Sequence, residues 1–131
     1  MKIKVLIVDD TTTTRMHERL LLVDLGFEID EARDGIEAMK KVSVDRPDLV
    51  LMDIEMPKMD GIECCRMIKQ DKRFRETKVI MVSSKDEFSK IDEAFKAGCD
   101  DYVTKPIDRA ELLEKIGEIS ELVCIIQQLR R

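Results

Sequence analysis

No stretch of the 131-residue sequence stays apolar for the roughly 20 residues a membrane span requires. The opening "MKIKVLIVDD" also lacks the small-residue cleavage site of a signal peptide, so no membrane association and a cytoplasmic location are expected. Basic residues form no tract before the closing Arg130 and Arg131, and the net charge is -5, which argues against direct nucleic-acid binding. Cys64, Cys65, Cys99 and Cys124 form no C-x-x-C pair, and the single His17 offers them no zinc-finger partner. They read as reduced packing thiols. Aromatics amount to 4% with one tyrosine, and residues 1–106 contain no internal repeat and no linker.

What is present fits one packed domain. The composition is 44% hydrophobic and 39% charged, which suits a core beneath a heavily charged surface. At this length a chain buries roughly two-thirds of its extended surface. Apolar runs at 3–8, 28–31, 48–53, 78–83 and 101–104 alternate with segments of helical period at about 13–25, 35–45, 61–70, 87–97 and 108–129, the pattern of βαβ units on a parallel sheet. The runs at 3, 48 and 78 are nearly continuous, as expected of strands covered on both faces. In the first helix the apolar positions are Met16, Leu20, Leu22 and Val23, and Gly26 stands where a left-handed helix end is expected.

In such a sheet the loops after the carboxyl ends of the strands line the binding crevice. Asp9 and Asp10 follow the first strand, Asp53 ends the third, Ser83 and Ser84 end the fourth, and Lys105 follows the fifth. Three carboxylates converging at one edge repel one another unless protonated or paired, and a hard cation with oxygen ligands resolves this. Mg²⁺ is the natural candidate, because it binds one or two carboxylates and leaves places for phosphate oxygens. Asp53 is then placed to attack phosphorus and form an acyl phosphate, with Lys105 drawing off charge and Ser83 donating a hydrogen bond. Taken singly, Asp9 and Asp10 also fit ordinary helix capping, and the others a strand end, a turn and a surface lysine.

The blocks "VDD" (8–10), "LMDIEMPKMDG" (51–61), "VSS" (82–84) and "DYVTKP" (101–106), in this order, make residues 2 to about 120 resemble the receiver domain of two-component response regulators. The resemblance implies a flavodoxin-like (βα)5 fold, a doubly wound parallel sheet of order 2-1-3-4-5, here with an extended C-terminal helix. It also implies phosphorylation of Asp53 by a sensor histidine kinase or phosphotransfer protein, in a phosphorelay that switches conformation or dimerisation to control an output. Asp9, Asp10, Asp53 and the backbone carbonyl of Glu55 correspond to the metal shell, and Lys105 to the lysine that contacts the phosphoryl group. Pro106 corresponds to the proline reached through a cis peptide, and Ser83 and Tyr102 to the switch pair. Such a domain is not an enzyme beyond assisting its own phosphorylation and dephosphorylation.

Two features depart from that family's common pattern. Glu55 and Lys85, two residues after Asp53 and Ser83, are expected to pair across the mouth and hinder hydrolytic water. Leu112, Ile116, Ile119, Val123 and Ile126 step by four and three, the seam of a coiled coil, widened by Leu122, Ile125 and Leu129. A receiver domain at 1–118 followed by a helical extension at 119–131 is therefore expected, with a parallel homodimer through a short stalk. This is similar to the receivers of diguanylate cyclases. The alternative from the enzyme class is an Mg²⁺-dependent phosphohydrolase with an aspartyl nucleophile, for which Glu55 would be the second acid. A nucleotide or flavin site is weaker, because "DDTTTT" stands where a glycine-rich phosphate loop belongs.

Overall fold

The computed structural model describes residues 3–129, with side chains described as far as Ile119, Asp24 excepted. Five parallel strands, β1 (Lys4–Val8), β2 (Glu28–Ala32), β3 (Leu49–Asp53), β4 (Lys78–Ser83) and β5 (Asp101–Thr104), form one sheet of order β2-β1-β3-β4-β5. The helices are α1 (Thr12–Leu22), α2 (Gly35–Asp45), α3 (Gly61–Gln70), α4 (Ile91–Lys96) and α5 (Arg109–Leu129). This is the flavodoxin-like order expected.

Two apolar layers follow from the period of two along each strand. Leu6, Val8, Val50, Met52, Val79 and Met81 face α2, α3 and α4 through Ala38, Val42, Ile62, Cys64, Cys65, Ile68 and Ala94. Val5, Ile7, Leu49, Leu51, Ile80, Val82 and Val103 face α1 and α5 through Leu22, Leu112, Ile116 and Ile119. Every residue of β3 is buried, which is why its sequence shows no alternation. β2 lies at the edge and is half exposed.

Local chemistry explains the helix ends. Asp34 and Asp60 cap α2 and α3 by accepting from the amides of Glu37 and Glu63, each at 2.8 Å. Past α1 the chain tightens into a 3-10 turn at Val23–Leu25 and leaves through Gly26 at φ 76°. The segment expected as one helix from about 87 is split: a 3-10 stretch, Lys85–Lys90, precedes α4. It starts early because Glu87 accepts from both the amide and the hydroxyl of Ser84, which caps the turn directly after β4.

α5 spans 21 residues, about 32 Å at 1.5 Å per residue. Leu112, Ile116 and Ile119 of the heptad seam are spent on the domain's own core. The remaining seam positions, Leu122, Val123, Ile125, Ile126 and Leu129, lie outside the described side chains.

Candidate functional site

Parallel pairing brings the strand ends level. Val8 pairs with Met52, Asp53 with Val82, and Ser83 with Thr104, so the residues that follow β1 and β5 come to the same edge of the sheet as Asp53. Carboxylate oxygens of Asp9, Asp10 and Asp53 lie within 4.8 Å of one another. Asp9 and Asp53 are buried and Asp10 is exposed. The Lys105 ammonium sits 3.3 Å from an oxygen of Asp9 and 3.3 Å from one of Asp53. Ser83 is fully buried, and its hydroxyl has no hydrogen-bond partner among the described residues. The Lys105–Pro106 peptide is cis.

The electrostatics are those of an incomplete site. Burial, then the Asp9 charge beside it, pushes the Asp53 carboxyl up to about 7, although Lys105 opposes both. Burial alone would lower the Lys105 ammonium, but the Asp53 and Asp9 carboxylates outweigh it and hold the amine above its ordinary value. One ammonium thus serves two buried acids with a third beside them. A divalent cation fits this donor set of three hard oxygens, and a phosphoryl oxygen fits the orphaned Ser83 hydroxyl.

The loop after Asp53 is shaped by its glycine. The Gly61 amide donates to Ile54 O at 2.7 Å, and a Cβ on Gly61 would stand 1.9 Å from the Asp53 carbonyl oxygen. Any side chain at 61 would displace the backbone that carries the acid.

Three groups behind the site escaped the sequence reading. Arg15, on the inner face of α1, donates to Asp9 O at 2.7 Å, to Thr12 at 3.2 Å and to Glu31 at 3.0 Å, and Arg19 holds the other Glu31 oxygen at 2.9 Å. Glu18 is 1% exposed, and one of its oxygens is unpartnered among the described residues. Burial first, and then the Asp9 charge, pushes its carboxyl up to about 8. The available signal was the spacing of Arg15, Glu18 and Leu22 by three and four, the period of one helix face.

Tyr102 is half-buried against the α2–α4 layer. Phe95 meets its ring edge-on at 6.0 Å and the Lys115 ammonium lies over it at 4.9 Å. Lys115 also reaches Asp101 and Glu111, each at 3.3 Å. Glu55 does not pair with Lys85. Its carboxylate takes Lys90 at 2.7 Å, because the 3-10 stretch begun at Ser84 brings its far end, not its first residue, across the mouth.

A sequence profile described as the response regulator receiver domain matches residues 5–117. The chain belongs to that family. It is 38% identical over 114 residues to protein PilG of Pseudomonas aeruginosa, covering 87% of this chain and 84% of PilG. It is 36% identical over 120 residues to the Bacillus subtilis alkaline phosphatase synthesis transcriptional regulatory protein PhoP, covering 91% of this chain but 49% of PhoP, so it spans about half the length of that relative. Among solved structures, the chemotaxis protein CheY4 of Vibrio cholerae superposes with a TM-score of 0.83 at 28% identity, over 91% of this chain and 99% of that one. The phosphohydrolase alternative is not favoured, since the family is a signalling one and the second acid it required, Glu55, is turned to Lys90 and lies outside the carboxylate cluster. Among the described residues no helix is long and apolar enough to cross a membrane.

Proposed function

We propose that Asp53 accepts a phosphoryl group from the phosphohistidine of a sensor kinase or phosphotransfer protein. An oxygen of Asp53 forms the new bond to phosphorus as the P–N bond breaks, and its electron pair returns to the donor imidazole. The observation that carries this reading is the placement of one ammonium, Lys105, between two buried carboxylates. The same ammonium meets the phosphoryl oxygens once Asp53 is esterified, and the Ser83 hydroxyl donates to a further one. Asp9, Asp10, Asp53 and the Glu55 carbonyl would hold Mg²⁺, which when bound neutralises the acid cluster and spreads the charge of the transferred group. Outside this transfer the domain acts as a switch rather than an enzyme with turnover.

Movement of Ser83 toward the new charge would vacate space behind β4, and Tyr102 follows it inward, shifting a two-state equilibrium read on the α4–β5–α5 face. The α5 seam positions that follow Ile119 would pair two copies of the chain and respond to that shift. A receiver domain packed through Ile119, with a stalk in the residues that follow it and a cytoplasmic setting, completes the reading.

Acetyl phosphate with Mg²⁺ should add about 80 Da to the native chain and nothing to Asp53→Asn. Undiminished label in Asp53→Asn would sink the assignment. Sedimentation with and without beryllofluoride tests the stalk, and a monomer in both states at high concentration removes it.

A further inference from the structure

The mouth of the crevice is acidic. A cavity of about 440 Å³ opens there, lined by Asp10, Glu55, Met56, Pro57 and Asp60. Among the described residues no basic side chain lines it, yet a phosphodonor that crosses it is an anion. On the α4 side stands Lys90, in the adjoining polar groove with Asp60, Arg66 and Glu93. Its ammonium reaches back to Glu55 at 2.7 Å.

We propose that Lys90 is a positioning residue for phosphoryl entry: by holding the Glu55 carboxylate against the α4 side, it keeps a third negative charge out of the path of an anionic phosphodonor to Asp53. Both partners are substantially exposed, 41% for Lys90 and 66% for Glu55. An ion pair of that kind adds little to stability. Its effect on an incoming anion is different, because a like charge several ångströms from the route opposes a dianion with twice the force it exerts on a single charge. Pairing also links the β3–α3 loop to the segment that follows Ser83, so the charge at the mouth moves with the switch. This inference rests on Asp53 being the phosphoacceptor.

The test measures the rate of Asp53 labelling against acetyl phosphate concentration at saturating Mg²⁺, in the full chain. Lys90→Met should raise the half-saturating concentration about fivefold and leave the plateau rate unchanged, and Lys90→Arg should restore it. In a Glu55→Gln background Lys90→Met should have no further effect. Raising ionic strength to about 1 M, where the screening length falls to about 3 Å, should erase the difference. Beryllofluoride, a monoanion, titrated calorimetrically should bind Lys90→Met about twofold more weakly, half the effect on the dianion in free energy and a readout independent of turnover. Labelling of Lys90→Met indistinguishable from wild type, or a lowered plateau instead of a raised half-saturation, overturns the role of Lys90 alone. Wild-type protein that takes no label on Asp53 overturns the reading beneath it.

Discussion

α1 and α3 occupy equivalent places, each leaving a strand that ends in a site carboxylate, yet they invert one another. α3 buries Gly61, Ile62, Cys64, Cys65 and Ile68 and turns Glu63 to solvent. α1 buries Arg15, Glu18 and Leu22, while Met16, Leu20 and Val23 are 58%, 65% and 54% exposed. The inner face of α3 meets an apolar layer, whereas that of α1 backs the acid cluster, where Arg15 braces the Asp9 carbonyl. What a helix buries is set by what stands beneath it, and beneath α1 stands the chemistry.

The sharpest test of that inversion is pH, because α3 offers the solvent-excluded layer no carboxyl and α1 offers Glu18. Its native pKa of about 8 lies above the ordinary 4.5. Between those values the native chain keeps a proton that the unfolded chain has released, so stability falls as pH rises through the window and levels off above it. For a group this buried the loss is on the order of 4 kcal/mol. Urea unfolding with chelator present, at pH 5, 7 and 9, should show Glu18→Gln losing much less stability than wild type over that range. Asp53, also raised, titrates in the same range and its charge presses on Glu18, so the comparison is repeated in an Asp53→Asn background. Parallel pH profiles would mean that Glu18 is solvated and α1 is no exception.

Next in size is a contrast between stability and function. Ile68→Ala in α3 empties a fully buried site and should cost about 3 kcal/mol. Labelling by acetyl phosphate should be unaffected while the protein stays folded. Arg15→Met should cost less, about 2 kcal/mol, since Glu31 keeps Arg19. It should nevertheless slow labelling about tenfold, because the loop carrying Asp9 and Asp10 loses its anchor. If Arg15→Met proves as silent in labelling as Ile68→Ala, the inner face of α1 is only packing.

The alternation of five strands with five helical segments was legible because β1, β3 and β4 are unbroken aliphatic runs separated by stretches of helical period, whereas the strand order came from the family likeness. Asp9, Asp10, Asp53, Ser83 and Lys105 came from their places at strand ends together with the family likeness, and the structure brings them to one place. Arg15, Glu18 and Glu31 were not legible. A charged residue on a helix reads as outward by default, and only the assembled sheet shows that α1 lies over an acid cluster. The Glu55 pairing with Lys90 instead of Lys85 was hidden for a simpler reason: sequence distance from Ser83 does not reveal that the chain coils into 3-10 turns at once.

The smallest effect completes the comparison. Leu20 and Met16 are apolar positions on a helix, for which facing the core is the ordinary expectation, but α1 turns them to water. Leu20→Ser and Met16→Ser should each change unfolding free energy by no more than about 0.5 kcal/mol, against about 3 kcal/mol for Ile68→Ala. The measurement is the urea midpoint at pH 7, with Mg²⁺ present so that the acid cluster is not the weakest point. A loss near 2 kcal/mol from Leu20→Ser would place that side chain in the core, turn Arg15 and Glu18 outward by the same rotation of α1, and remove the bracing of Asp9 along with it.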